Sequence, residues 1–184
     1  MRVRRLAMLA VLTVLALPAC KPPPTDEGSA RAANLPAPRS PSEPLASPDV
    51  DGAIWAMSAK PGRLVYGIPG KPVLVALECL DASTLEARLR ITRHAPADPG
   101  AGALLAVIGN GAIGRFEVDA TTIGQARLWQ GEAPATAQGW NALDGPREAT
   151  VTVPGAGLVL LNPSPLPGEL LKACRAPALP ADQA

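Results

Sequence analysis

From Asp51 to Arg175 the apolar residues come in short runs, each soon broken by Gly, Pro, Asn or Asp. The runs are "AIWAM", "RLVYGI", "VLVALEC", "EARLRITR", "ALLAVIG", "GRFEVDA", "ARLWQG", "EATVTV" and "LVLL". In "EARLRITR", Ala87, Leu89 and Ile91 alternate with Arg88, Arg90 and Thr92, the period of two that a half-buried strand requires. "VLVALEC", bounded by Pro72 and Asp81, is almost wholly apolar and reads as a central strand. Evenly spaced short strands with turn punctuation predict one all-β domain, a sandwich or barrel-like sheet of short antiparallel strands. About 125 residues suffice for a single domain that buries roughly two-thirds of its unfolded surface. Two pieces read as helical: "GELLKACR" as a short C-terminal helix, and "GWNALDG" as a single turn before a strand at residues 148–153.

One stretch invites a different reading. Gly109, Gly111 and Gly114 form G-x-G-x-x-G after the apolar run Leu104 to Ile108, and Glu132 follows at about the distance of a ribose-binding acid. A dinucleotide site, however, needs the glycine turn to open a helix whose N-terminal amides hold the pyrophosphate. Here Gly114, Phe116 and Val118 alternate with Arg115, Glu117 and Asp119, which is strand. Asn110-Gly111 between two alternating runs predicts a hairpin, because a type I′ turn takes positive φ at both central residues. Only about 50 residues follow Glu132, too few to complete a doubly wound sheet. No nicotinamide or flavin cofactor is expected.

The compartment is written in "MRVRRLAMLAVLTVLALPAC". Arg2, Arg4 and Arg5 precede an uncharged apolar run, Leu6 to Ala19, that is shorter than the roughly 20 residues of a bilayer span and suits a signal peptide. Its end, Leu17-Pro18-Ala19-Cys20, resembles the lipobox of bacterial lipoproteins, with Pro18 where those have Ala, Ser or Thr. That resemblance implies cleavage before Cys20, a diacylglycerol on its sulfur and an acylated amino group. Several acyl chains, at about 0.8 kcal/mol per buried methylene, hold a protein on a membrane for good. Lys21 after the cysteine implies, by the same resemblance, the outer membrane and a domain facing the periplasm. The alternative is an ordinary cleaved secretory signal, under which Cys20 goes unexplained.

Loss of residues 1–19 removes three arginines and takes the net charge from +1 to about −2, with no basic stripe left for nucleic acid. Residues 20–50 contain eight prolines and almost no bulky apolar residue, and are expected to form a disordered tether. Such a tether would reach roughly 90 Å if polyproline-like and about 30 Å as a coil. A Pro-rich ligand for a partner domain is its alternative reading. Residues 51–175 are the expected β-domain and 176–184 a disordered tail. With Cys20 taken by lipid, Cys79 and Cys174 are the one pair left for a disulfide in an oxidising envelope.

Little other chemistry is visible. His94, the single histidine, sits in "RHAPADPG" near Asp98 and reads as a solvated loop residue rather than part of a triad, since no Ser stands in a nucleophile elbow. One His and no spare Cys speak against zinc or copper clusters. Arg88, Arg90 and Arg93 would make a basic strip, although two of them fall on the solvent face of a strand. A glycosidase-type carboxylate pair is recognised in space and not by sequence spacing, so the sequence leaves it open.

Trp55, "LVYGIPGKPVLVALEC" and "TVTVPGAGLVLLNPSPLPGELLKACR" resemble small lipoproteins of alphaproteobacteria, a group that carries no function across. "ARLWQGEA", residues 126–133, with the early-to-late cysteine pair, is similar to the lipoprotein inhibitors of lysozyme. The chain lacks their Ser-Gly-x-x-Tyr element and has Gln130 in place of their functional lysine. The expected function is therefore a non-enzymatic, lipid-anchored binding or envelope-support module. Its partners would be the membrane, through Cys20, and an envelope protein or cell-wall component. A lysozyme inhibitor and a carboxylate-dependent hydrolase stand as alternatives.

Overall fold

The computed structural model describes residues 43–175; Cys20, the signal-like segment, most of the Pro-rich stretch and residues 176–184 lie outside the described residues. Nine antiparallel strands form one sheet: β1 (Ile54–Met57), β2 (Arg63–Gly67), β3 (Val75–Leu80), β4 (Arg88–Pro96), β5 (Gly102–Gly109), β6 (Ala112–Ile123), β7 (Ala126–Pro134), β8 (Ala149–Thr152) and β9 (Leu158–Leu161). The spatial order is β1-β2-β3-β4-β7-β6-β5-β8-β9, so the β5-β6-β7 meander is inserted in reverse between β4 and β8. A 3-10 helix (Gln138–Leu143) and one α-helix, α1 (Leu166–Arg175), complete the described secondary structure.

The sheet curls into a nearly closed barrel around one core to which every strand contributes. Strand phase decides what enters it. On β6, Gly114, Phe116 and Val118 are buried while Arg115, Glu117 and Asp119 are exposed, as the alternation predicts. The first and last strands do not pair directly; side chains of Tyr66 on β2 and Asn162 just after β9 bridge the two ends of the sheet. Tyr66 Oη donates to Leu160 O at 3.0 Å and accepts from Asn162 N at 3.0 Å, and Asn162 Nδ2 donates to Ala53 O at 2.8 Å. Burial pushes the Tyr66 phenol above its ordinary value, so it keeps the proton that this bridge needs.

The three motif glycines each have a physical reason that is not phosphate binding. Asn110 (φ 47°) and Gly111 (φ 78°) are the two central residues of the hairpin joining β5 to β6, with Gly109 and Ala112 paired across it. Gly109 lies against β8 and the 3-10 helix: a Cβ there would stand 2.5 Å from Ala149 Cβ and 2.7 Å from Ala142 O. Gly114 lets Gly139 pass close by, since a Cβ would come within 2.6 Å of Gly139 O and 2.7 Å of the Phe116 ring. That approach sets Trp140 on Phe116, ring centroids 3.8 Å apart and nearly parallel, with Trp140 Nε1 donating to Pro134 O at 3.0 Å.

α1 packs at the Cys79–Arg88 end of β3 and β4. Leu170, Leu171 and Cys174 face the core, and Arg175 Nε donates to Ala135 O at 2.7 Å. Cys79 and Cys174 lie at disulfide-bonding distance, with Cα atoms 5.7 Å apart. Residues 43–50, assigned from sequence to the tether, are hydrogen-bonded to the domain. Leu45 N donates to Gly155 O at 2.9 Å, and Leu158 N donates to Ser47 Oγ at 3.1 Å, which lays this segment along the β8–β9 turn.

Candidate functional site

Charged side chains gather in two places, one outside the sheet and one within it. Outside, Glu78 of β3, Arg90 of β4 and Glu132 of β7 stand in one cross-strand row. Arg90 Nε donates to Glu132 Oε1 at 2.7 Å, and Arg90 Nη1 lies 3.8 Å from Glu78 Oε1. Lys60 and Arg63 also pair with Glu78, and Arg88 Nε reaches Glu132 Oε2 at 3.4 Å. The strand phase that turns Leu89 and Ile91 inward turns these groups outward together. Cross-strand pairs of opposite charge on one face support a sheet. Glu132 is thus held by Arg90 and Arg88 within β7, and Gln130 by Thr92, whose Oγ1 accepts from Gln130 Nε2 at 2.9 Å. Residues 126–133, the inhibitor-like stretch, accordingly run through the interior of the sheet between β4 and β6.

Inside, the phase of β4 continues beyond what its sequence suggests. Leu89, Ile91, Arg93 and Ala95 all face inward, and Arg93 is 3% exposed. Arg93 is therefore not part of a solvent-facing basic strip. Its Nη2 donates to Ala156 O at 2.9 Å, and Nη1 is shared between Leu74 O and His94 O at 3.2 Å each. Among the described residues its partners are carbonyl oxygens and no carboxylate. Burial pulls the guanidinium below its ordinary range. Carbonyl dipoles hold a buried charge without neutralising it.

His94 also departs from expectation. It belongs to β4, where its backbone N–H donates to Leu74 O at 2.9 Å, and it is half-buried rather than solvated in a loop. Pro96 suggested a turn, but β4 accommodates it at the strand's end, after a register shift between Arg93 and Pro96. Burial first, then the charges of Arg63 and Arg93, lower the imidazole pKa from its ordinary 6.5. Asp98, its sequence neighbour, lines the groove described next.

Opposite Arg93 in register stands Trp129 of β7, 8% exposed. Residues directly opposite in an antiparallel pair project to the same face, with Cβ atoms about 5 Å apart. Arg93 Nε, Trp129 Nε1 and His94 Nε2 are buried without a hydrogen-bond partner. Trp129 lines a groove of about 480 Å³ whose walls include Pro44, Leu45, Pro96, Pro154 and Gly155. Ala156, whose carbonyl holds Arg93, follows that wall directly. This end of the barrel thus combines an apolar groove, lined by Trp129, with buried nitrogens that lack partners. Trp129 belongs to the hydrophobic core as well as lining the groove, whereas sequence reasoning placed Arg93 in a basic strip and missed its burial. The signal for Arg93 was its phase with Leu89 and Ile91.

Among the described residues, no group of three or more His, Cys, Asp or Glu side chains is placed to hold a metal. No helix among them is long and apolar enough to cross a membrane. No protein-family model, curated protein or solved structure matches the chain.

Proposed function

We propose that the chain is a lipid-tethered, non-enzymatic binding module of the bacterial envelope, anchored through Cys20 with its β-domain facing the periplasm. The anchoring half of this reading is supported by the basic start, the short apolar run and Leu17-Pro18-Ala19-Cys20. Cys79 and Cys174 at disulfide distance suit an oxidising compartment. The binding half is carried by one observation: a groove lined by Trp129, whose buried indole N–H has no hydrogen-bond partner among the described residues. Buried polar groups are nearly always hydrogen-bonded, and each exception calls for an explanation, of which a bound ligand is one and an ordered water another. The carboxylates Glu78 and Glu132 are by contrast engaged by cations, which favours binding over acid–base hydrolysis.

Fractionation tests the reading. In a host with two membranes, the wild-type chain should sediment with the outer membrane. Cys20→Ser should accumulate as unprocessed precursor or appear in the soluble periplasm. Membrane association of the variant at mature size would refute the anchor.

A further inference from the structure

We propose that the outer face of β5, β8 and β9 rests on the phospholipid leaflet that holds the anchor, its aliphatic side chains entering the boundary between head groups and acyl chains. This rests on the reading of Cys20 as a lipid anchor and adds a second, protein-borne contact with the same membrane. The three strands read GALLAVIG, ATVT and LVLL and carry no charged residue. Register aligns Ile113 of β6, Ile108 of β5, Thr150 of β8 and Leu160 of β9 in one outward row. Leu158 stands in the next row, which ends at Arg115 on β6. Leu104, Ile108, Ile113 and Leu158 are each between 42% and 53% exposed. The β3–β4–β7 side of the sheet turns Glu78, Arg90 and Glu132 outward instead. An end strand is ordinarily guarded by charge, and β9 has none.

Size and position choose the occupant. Four strands about 4.8 Å apart, with side-chain rows about 7 Å apart, give an apolar patch on the order of 300 Å². A stable dimer buries about 800 Å² on each partner, so a second copy gains too little here. A lipid surface needs no matching shape, and an anchored domain meets it at high effective concentration, so a small patch suffices. The chain towards Cys20 also leaves the domain beside this face. Ser47 Oγ accepts from the N–H of Leu158, itself in the patch, and Leu45 N donates to Gly155 O in the β8–β9 turn. Arg115 is exposed at the border, where its aliphatic stem can lie along the patch while the guanidinium reaches lipid phosphates.

The test is photo-crosslinking in cells carrying the full chain, with a benzophenone-bearing phenylalanine in place of Ile113, Leu158 or Leu85. Leu85 is the control: it is wholly exposed in the β3–β4 connection, remote from the patch in strand order. Irradiation should yield a phospholipid adduct at positions 113 and 158 and none at 85. Ile108→Glu puts a carboxylate into the patch and should cut the Leu158 adduct about tenfold, which corresponds to about 1.4 kcal/mol. A dimer-sized product, a crosslink to another envelope protein, equal lipid adducts at all three positions, or an undiminished adduct in Ile108→Glu overturns the lipid contact. The mass of the N-terminal peptide from the same samples keeps the two claims apart. Acylated Cys20 without a patch adduct overturns the face alone, a patch adduct on a chain with unmodified Cys20 overturns the anchor alone, and the absence of both overturns both.

Discussion

Removing the link between Cys79 and Cys174 should cost this domain more than any other pair of small substitutions. The two residues are 95 apart in sequence. Closing a loop of that length restricts the unfolded chain by about 4.7 kcal/mol at 25 °C in the chain-entropy model. Native contacts temper the loss: Leu171 is fully buried, Leu170 is 9% exposed, and Arg175 holds Ala135 O at 2.7 Å. Alone, those contacts must retain a ten-residue helix, a length that is marginal in water without tertiary support. The double variant Cys79→Ala/Cys174→Ala should therefore lose about 3–4.5 kcal/mol. For a domain of this size each kcal/mol moves Tm by about 3–5 °C, so the midpoint should fall by roughly 10–20 °C. Calorimetry on the oxidised wild type, the reduced wild type and the double variant checks this, and the last two should melt together. Alkylation of both thiols in the oxidised native protein, or a double variant melting within about 3 °C of wild type, would refute the reasoning.

Other substitutions probe the interior directly. Arg93→Met removes the tie from β4 to Ala156 O, whereas Leu74 O keeps its bond from His94 N; denaturant unfolding should show a loss of about 1–3 kcal/mol, and unchanged or raised stability would mean that burying the guanidinium costs more than its carbonyls return. Gly114→Ala should destabilise by about 1–3 kcal/mol, because its Cβ meets the Gly139 carbonyl and the Phe116 ring, and near-UV dichroism should register a disturbed Trp140; no change would contradict the close approach. His94 is held below its ordinary 6.5, so the unfolded chain takes up the proton first. Its contribution is complete above about pH 7 and is lost as pH falls through 6.5 towards the lowered native value. Tm should drop over that window in wild type and less in His94→Gln, and parallel profiles would refute it.

What could be read from the sequence was whatever depends on local phase and turn chemistry. Asn110-Gly111 announced its hairpin, and β6 kept its alternation, because both are decided by residues adjacent in the chain. Sandwich and barrel stayed undecided, since the choice turns on bridges such as Tyr66 Oη to Leu160 O, 94 residues apart. The insertion of β5-β6-β7 in reverse between β4 and β8 is likewise a matter of long-range pairing. Pro44 to Pro48 looked like tether because composition does not reveal that Ser47 Oγ meets Leu158 N, 111 residues on. At the candidate site two reliable rules conflicted. Alternation places Arg93 inside with Leu89 and Ile91, while its charge argues for the outside, and the prolines that follow made a turn the easier reading. Phase won because three carbonyls were available to receive the guanidinium.

The envelope tether is the claim on which the proposed function stands, and the mass of the mature N-terminus tests it most directly. Protein extracted from membranes should yield an N-terminal peptide that begins at Cys20 and carries a diacylglycerol and an amide-linked acyl chain. An unmodified peptide beginning at Cys20, or a chain that still begins at Met1, would contradict it.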